Sequence, residues 1–379
     1  MTVVRMLADD LTGAVDSICS FATVHAPVPV FWDGRARPDV SGSFAVDTET
    51  REARERQAVA AIADWLPSLS MADIAIKKLD SLLRGHVATE IAACLKGGRF
   101  ASIVVAPAFP AQGRVMRRGR QFVREGTNGG WQELSCDLDA ELGVLGQLVQ
   151  RADDGDAMVG SGIFLCDAES DADLERIVIA GRALTPPILW CGSAGLTRAL
   201  AGARAIESGP VPTSPLLVVI GSDHPVSTAQ VDALERHRPG IRVVVDSNPP
   251  HEPRQAIDTV AGHLDAGRSA ALVFRIAPGS SRVAASSTIS ELLATAVEQL
   301  PRPGSVLIVG GDTLFRFVNS VAASSLAVSG ELLPGVPVSQ LEGGRWDGLT
   351  VISKSGAFGG SDALCLLLDR IEDIDHAVS

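Results

Sequence analysis

Charged residues cluster where the first apolar run of the chain, residues 3–7, ends. Asp9 and Asp10 follow this run directly, and Asp16 lies further along the same ADDLTGAVD segment. Thr12 is the expected N-cap of a helix that begins here, and an Asp near a helix start often only stabilises the helix dipole. Adjacent carboxylates at a strand end also suit proton transfer and substrate binding. For Asp10 both roles stay open at this stage.

A second charged cluster occupies residues 77–86, KKLDSLLRGH. A carboxylate ligand could be bound by Lys78 and Arg84, which leaves Asp80 to accept a hydroxyl proton and Ser81 to contact the ligand. The alternative is a surface network in which Asp80 or Ser81 caps the following helix. Further arginines follow the next apolar run, and among them Arg114 is expected to be the one that is not solvated.

The second half of the chain carries glycine-rich turns at the same kind of position. Three such turns follow apolar runs: Gly221-Ser222, then Gly310-Gly311-Asp312-Thr313, and Lys354-Ser355-Gly356 with Gly359 beyond it. Glycine lets backbone N–H groups approach an anion closely, and a helix N-terminus adds a positive dipole end. We therefore expect these turns to bind phosphate groups, with Lys354 as a point charge and Asp312 as a Mg²⁺ ligand. The alternative for any one such turn is a tight connection between a strand and a helix. Neither GxxxxGK[ST] nor GxGxxG occurs.

Seven short apolar runs, each followed by a polar or glycine cluster and then a helical pattern, must position these residues. They cover residues 3–7, 74–79, 103–106, 188–190, 216–220, 306–309 and 349–352. This alternation is typical of βα units and predicts an α/β fold with mostly parallel sheets flanked by helices. In such sheets ligands bind beyond the carboxyl ends of the strands, which is where all the clusters lie.

The length of 379 residues exceeds what one core usually supports, roughly 250 to 300 residues, and so predicts two domains. Residues 202–215 are rich in Gly, Pro and Ser and are expected to be a linker. We place the domains at residues 1–208 and 209–379, with a ligand cleft expected between them.

The net charge, the cysteine spacing and the apolar stretches limit the classes of function that the sequence allows. The net charge of -12 argues against nucleic acid or an anionic membrane as partner. The six cysteines show no zinc-site spacing, and neither a secretory signal nor an apolar stretch of membrane-spanning length is present, so cytoplasmic residence is expected. A homo-oligomer is possible, although no motif indicates one.

The motifs taken together resemble the four-carbon acid sugar kinases, which act on threonate, erythronate or 3-oxo-tetronate. The resemblance spans nearly the whole chain. It rests on ADDLTGAVD, KKLDSLLRGH, APAFPAQGR, GSAGL, GSDHPVSTAQ, GGDT and KSGAFG, in this order. Leu82, His86 and Leu314 depart from the family's usual residues, and the first two leave the exact substrate open.

The resemblance implies that the first domain binds the sugar acid, that the second binds ATP, and that phosphate is added to the terminal 4-hydroxyl. It places Asp10, Lys78, Asp80 and Arg84 in the acid site, where Asp80 or Asp10 would be the base. It places Ser222, residues 310–313 and Gly356 in the nucleotide site. Two alternatives remain at this stage: an NAD-dependent dehydrogenase of a related sugar acid, and a noncatalytic sugar-acid sensor.

Overall fold

The computed structural model describes residues 2–23, 25–32, 41–124, 129–152, 158–202, 210–222, 224–246, 252–275 and 282–378. The chain divides into two compact units: Met1–Phe21 with Val28–Ala205, and Ala22–Pro27 with Ile206–Ser379. The predicted boundary at residues 208 and 209 falls outside the described residues and stays a prediction. No helix in the described part of the chain is long and apolar enough to cross a membrane.

The first unit contains a parallel sheet, a small antiparallel sheet and six helices among its described residues. Its strands are β1 (Val4–Ala8), β2 (Val28–Phe31), β3 (Phe44–Asp47), β4 (Ile74–Lys78), β5 (Ser102–Ala106), β6 (Arg114–Arg117), β7 (Arg120–Arg124), β8 (Trp131–Glu133), β9 (Val149–Ala152), β10 (Gly162–Cys166) and β11 (Ile188–Gly192). Its helices are α1 (Leu11–Ile18), α2 (Glu55–Leu69), α3 (Val87–Lys96), α4 (Leu138–Val144), α5 (Asp171–Arg182) and α6 (Ala194–Ala201).

The parallel sheet of the first unit has the strand order β2-β3-β1-β4-β11-β5-β10-β9. In its register Ala8 lies beside Asp47, and Leu7 lies beside Lys77. The carboxyl ends of β3, β1 and β4 are therefore adjacent. Strands β1 and β5 are buried along their whole length, as expected for a sheet covered on both faces.

The second unit begins its described secondary structure at β12 (Leu216–Ile220). The other strands are β13 (Arg242–Asp246), β14 (Ala270–Arg275), β15 (Ser305–Val309), β16 (Ser325–Leu333), β17 (Val336–Glu342) and β18 (Thr350–Lys354). The helices are α7 (Pro225–His237), α8 (Glu252–Asp265), α9 (Arg282–Gln299), α10 (Gly311–Ser320) and α11 (Ala363–Val378). The strand order is β13-β14-β12-β15-β18-β17-β16, parallel up to β18 and antiparallel beyond it.

The α/β architecture predicted from the sequence is confirmed, and each of the seven apolar runs is a strand, namely β1, β4, β5, β11, β12, β15 and β18. A core of aliphatic side chains fixes the sheet of the second unit. Leu216, Val218 and Ile220 of β12 pack in one buried cluster with Leu234 of α7 and Leu368 of α11. Burial of these side chains supplies the main driving force that holds the strand ends in place.

Candidate functional site

The carboxyl ends of three adjacent strands form the acidic cluster of the first unit, which we define as Asp9, Asp10, Asp47 and Asp80. Asp9 and Asp10 follow β1, Asp47 ends β3, and Asp80 lies two residues beyond β4. Asp10, not Thr12 as expected from the sequence, is the N-cap of α1, because its Oδ1 accepts from the backbone N–H of Gly13 at 3.1 Å. Asp10 has an extended backbone and directly precedes the helix, whereas Thr12 lies within its first turn.

Arg51 joins the members of this cluster. Its Nε and Nη2 donate to the two carboxylate oxygens of Asp9 at 2.9 and 3.0 Å, and Nη2 also donates to Oδ1 of Asp10 at 2.7 Å. The same Nη2 lies 3.5 Å from Oδ1 of Asp80. One guanidinium therefore compensates three carboxylates, an arrangement that suits the rigid, multi-donor geometry of arginine.

Asp80 and Arg84 form a second, bidentate pair. Nε and Nη2 of Arg84 donate to the two oxygens of Asp80 at 2.8 and 2.9 Å, and the backbone N–H groups of Leu82 and Arg84 also donate to Oδ2. Asp80 thus organises the tight turn at residues 80–84, where Leu83 has a positive φ of 56°. The side chain of Arg84 is 55% exposed, so its remaining N–H groups face solvent.

The other predicted acid-site residues lie at different distances from this cluster. Lys78 donates from Nζ to the carbonyl of Leu79 at 2.9 Å, and a Cβ added at Gly13 would come within 3.0 Å of that Nζ. Ser81 follows Asp80 and is held by Gln121, whose Nε2 donates to its carbonyl at 3.1 Å. Asp16 lies in α1, six residues beyond Asp10 and so about 9 Å along the helix axis. A role for Asp16 in substrate binding stays a prediction.

The neighbouring charges shift the pKa values of the carboxylates in opposite directions. Burial opposes ionisation of Asp9 and Asp80, but Lys77, Arg51 and Lys78 hold the pKa of Asp9 below its usual value. The hydrogen bonds from Arg84, with Arg51, likewise hold the pKa of Asp80 below its usual value. Burial, with Asp9 and Asp80 nearby, raises the pKa of Asp10 instead. Asp10 is therefore the better proton acceptor of the two carboxylates predicted as bases.

Arg114 begins β6 in the small antiparallel sheet β6-β7-β8. Its Nη1 donates to the carbonyl of Gln112, while its Nε is buried and has no hydrogen-bond partner among the described residues. Burial lowers the pKa of Arg114, which Asp80 partly opposes. The neighbouring arginines are mostly paired rather than solvated: Arg117 stacks on Trp131 at 4.7 Å, and Arg120 pairs with Glu133 at 2.6 Å. The sequence pattern did not predict this sheet, because its arginines mask the alternation of its few apolar residues.

The glycine turns of the second unit converge on one another. A Cβ added at Gly356 would lie 2.4 Å from Oγ of Ser222, and one at Gly310 would lie 3.3 Å from Cβ of Ser222. A Cβ at Gly221 would lie 2.6 Å from Oγ1 of Thr313. Gly310, with φ of 107°, is the N-cap of α10, whose first N–H groups have no partner within the helix. We call this set of residues the glycine cradle: Gly221, Ser222, Gly310, Gly311, Thr313 and Gly356.

Lys354 holds the loop that follows β18. Its buried Nζ donates to the carbonyls of Ser355 and Phe358 at 2.8 and 2.7 Å, and burial lowers its pKa from 10.5 to about 8. Gln230 of α7 donates from Nε2 to the carbonyls of Phe358 and Gly359 at 2.9 and 3.3 Å. The ammonium is thus directed at its own loop, and a contact between Lys354 and phosphate stays a prediction.

The residues of the cradle suit a nucleotide's phosphates, because glycines let the backbone approach an anion closely and the N-terminus of α10 begins at Gly311. Asp312, in the first turn of α10, is 63% exposed, with Nη2 of Arg316 3.4 Å from its Oδ2. In the described part of the chain it belongs to no group of three potential metal ligands. A single carboxylate is nevertheless a usual protein ligand for Mg²⁺ beside phosphates.

Sequence reasoning missed Arg51 and Asp47. Both depend on β3, a four-residue strand, FAVD, followed by TETR. The signal was present as a short apolar run that ends in a carboxylate, but no glycine turn follows it. Asp47 is buried, and this burial raises its pKa well above the usual value.

Comparisons with known proteins match a different domain family to each half of the chain. A sugar-binding N-terminal domain family matches residues 4–140, and a nucleotide-binding C-terminal domain family matches residues 217–364. D-threonate kinase of Cupriavidus necator is 31% identical, with 95% of each chain covered, and D-threonate kinase of Bordetella bronchiseptica is 28% identical, with 98% of each covered. The crystal structure of the Haemophilus influenzae protein HI1011 has a TM-score of 0.69 at 16% identity, covering 98% of this chain and 100% of that one. That likeness shows the fold alone.

Fold and site together define a two-domain α/β protein that pairs a sugar-binding unit with a nucleotide-binding unit. The chain belongs to the four-carbon acid sugar kinase family. The dehydrogenase and sensor alternatives are not favoured.

Proposed function

We propose that the chain transfers the γ-phosphoryl group of ATP to the terminal hydroxyl of a four-carbon sugar acid. The glycine cradle carries this proposal most directly, because its turns converge on Ser222, where a Cβ at Gly310 or Gly356 would meet the serine side chain. Relatives named D-threonate kinase, at 27 to 31% identity, favour threonate as the first acid to test.

On the acid side, the substrate carboxylate is proposed to meet cationic groups with unused donors. These are the outward N–H groups of Arg84, the Nε of Arg114 and the ammonium of Lys78. Asp80 keeps Arg84 in place, since both of its oxygens are engaged. Asp9 holds Arg51, and Ser81 is available for a hydroxyl of the acid.

Asp10 is proposed as the base that accepts the proton of the attacking hydroxyl. Its Oδ1 is engaged by Arg51 and Gly13, while no described residue donates to its Oδ2. Its raised pKa matches a general base better than the lowered pKa of Asp80. As the proton leaves, the nearby guanidinium of Arg51 keeps the region from accumulating negative charge.

On the nucleotide side, the backbone N–H groups of Gly311 and Gly356 and the hydroxyl groups of Ser222 and Thr313 are proposed to bind the phosphates. Asp312 would hold Mg²⁺, which neutralises the developing phosphate charge. Lys354 and Gln230 shape the 355–360 loop, which includes Ser355 and Gly359. Cytoplasmic residence is proposed because all six cysteines are free thiols, which reducing compartments maintain.

The test is a substrate panel. The purified chain is incubated with ATP, Mg²⁺ and, in turn, D-threonate, D-erythronate and 3-oxo-tetronate, while ATP consumption is followed and the phosphate position is assigned by NMR. We expect turnover with at least one acid and phosphate on the terminal hydroxyl. No ATP consumption with any of the three acids, or phosphate at another position, would contradict the proposal.

A further inference from the structure

A fully buried ion pair lies next to the acidic cluster. Lys77 lies in β4, and Glu90 lies in the first turn of α3. Their side chains are 0% and 2% exposed, and Nζ of Lys77 lies 2.9 Å from Oε2 of Glu90. Burial of two charges costs free energy, and apolar residues of similar size often stabilise a protein equally well or better. Stability alone therefore does not account for this pair.

Both ends of the pair hold backbone segments that carry acid-site residues. The ammonium of Lys77 also donates to the carbonyl of Lys78 at 3.1 Å, at the end of β4. Oε1 of Glu90 accepts from Oγ1 of Thr50 at 2.5 Å, and Thr50 directly precedes Arg51. The pair thus connects the end of β4 with the segment from which Arg51 reaches the acidic cluster.

Hydroxyl groups extend this connection to β1. Oγ1 of Thr50 lies 2.9 Å from Oγ1 of Thr48, which donates to the carbonyl of Ala8 at 2.9 Å. The backbone N–H of Arg51 in turn donates to the carbonyl of Asp9 at 3.3 Å. Thr50 gives its one hydroxyl proton to Glu90 and Thr48 gives its own to Ala8, so the two hydroxyl groups are in contact without a hydrogen bond between them. The bonds from Thr48 and Arg51 hold the segment after β3 against β1, and Thr50 holds the same segment against Glu90, which restricts the segment to one geometry.

The charge of Lys77 also acts on Asp9. The charged groups that face Asp9 are Lys77 and Lys78 of β4, Arg51 after β3, Asp47 at the end of β3 and Asp10 at the start of α1. The charge of Lys77 lowers the pKa of Asp9, and Arg51 lowers it further through both its hydrogen bonds and its charge. Asp9 in its charged form accepts both donors of the Arg51 fork. Lys77 therefore favours the ionised Asp9 that orients Arg51.

We propose that Lys77 and Glu90 are positioning residues for phosphoryl transfer, which hold Arg51 against Asp9 and Asp10 through Thr50 and through the charge of Asp9. The inference rests on the proposed function and adds to it two residues that do not touch the substrate. Its consequence is that loss of the pair lowers turnover without loss of the fold or of ATP binding.

The experiment compares the double variant Lys77→Met/Glu90→Met with the wild-type chain. The two methionines fill the volume and leave no unpaired charge, which offsets the partners that the Thr50 hydroxyl and the Lys78 carbonyl lose, so we expect a folded protein with a Tm close to that of the wild-type chain. We expect kcat to fall about tenfold or more, since Arg51 loses its support, while KM for ATP stays unchanged. The acidic limb of the kcat/KM profile should move to higher pH, because Asp9 loses the cation that favours its ionised form.

Two single variants separate position from charge. Thr50→Val removes the hydrogen bond to Glu90 and keeps the charge of Lys77, so kcat should fall while the acidic limb stays in place. Thr50→Ser keeps the hydroxyl group that donates to Glu90, so it should retain most of the turnover. Thr50→Val also decides the question if the double variant does not fold, since unchanged turnover in this variant overturns the positioning role.

The outcomes are distinguishable from failure of the proposed function. A wild-type chain that shows no turnover with any four-carbon acid overturns the proposed function and this inference with it. A wild-type chain that turns over beside a folded, equally active double variant with the same pH profile overturns the inference alone.

Discussion

At the scale of single residues, the two carboxylates that the sequence left as equal candidates for the base differ in their partners. Both oxygens of Asp80 accept hydrogen bonds from Arg84, whereas Asp10 shares only one oxygen with Arg51 and Gly13. A carboxylate that accepts two hydrogen bonds from a guanidinium has a lowered pKa and is a poor proton acceptor. A carboxylate whose pKa is raised by burial and by neighbouring carboxylates is a better one. The hydrogen-bond partners, not the residue type, therefore favour Asp10 as the proposed base and Asp80 as the residue that holds Arg84.

We predict that Asp10→Asn lowers kcat by about 10² to 10⁴-fold and leaves ATP affinity unchanged, because the amide cannot accept the hydroxyl proton. Asp80→Asn should act mainly on KM for the acid, since it releases Arg84. Steady-state kinetics with the best acid of the panel measures both effects, and Asp64→Asn, on the exposed face of α2, is the matched control. Near-normal kcat in Asp10→Asn, with a large loss in Asp80→Asn, would reverse the two assignments.

The lowered pKa of Lys354 predicts that the affinity for ATP depends on pH. Burial lowers its pKa to about 8, so the ammonium is charged below that pH and is progressively lost above it. Phosphates favour the charged form, and the affinity for ATP should therefore fall above pH 8 by up to about tenfold per pH unit. Calorimetric titration of ATP between pH 7 and 9.5 measures this. Lys354→Gln should bind ATP weakly and without that dependence, and a flat profile in the wild-type chain would exclude a charge role for Lys354.

At the scale of elements, the glycine cradle lies where strands β12, β15 and β18 pass into turns and helices. Ser227 and Gln230 of α7 donate to the carbonyls of Gly356 and Gly360, both at 2.8 Å, and so fix the turn after β18 against a helix that follows β12. The cradle is thus a product of several elements, none of which forms it alone.

We predict that Gly356→Ala raises the Kd for ATP by about tenfold or more. The added methyl group would lie 2.4 Å from Oγ of Ser222 and 3.1 Å from Oγ of Ser227, so the Ser222 hydroxyl must leave its position. The matched control is Gly262→Ala in α8, where no atom lies within 4 Å of the new Cβ. Equal ATP affinity in the two variants would show that the cradle does not bind phosphate.

At the scale of the whole molecule, the two units are expected to bind their ligands through separate residues. Each ligand stabilises the folded state by an amount that grows with the logarithm of its concentration relative to Kd, about 2.7 kcal/mol at a concentration of 100 Kd. We predict that Arg84→Met abolishes the rise in Tm produced by the sugar acid and keeps the rise produced by ATP. Gly356→Ala should show the opposite pattern in the same thermal-shift measurement. Loss of both shifts in either variant would contradict the separate assignment.

The sequence by itself determined the strands that are apolar along their length and are followed by a cluster of glycine or charged residues. The strand of residues 216–220 was predicted with the bounds that β12 has, and the turns at Gly221, Gly310 and Gly356 were predicted as one kind of site. This works because a parallel strand covered on both faces must be apolar along its length, and that requirement is local.

Only the tertiary structure decided which strand ends meet and in which direction the pKa values of Asp9, Asp10 and Asp80 shift. Strand β3 lies beside β1 although α1 and β2 separate them in the chain, and this pairing brings Arg51 to Asp9. The ion pair of Lys77 with Glu90 likewise joins a strand to a helix that follows it after a turn. Neighbours in a parallel sheet are set by packing across crossovers, and pKa values depend on those neighbours, so neither can be derived from the residues one at a time.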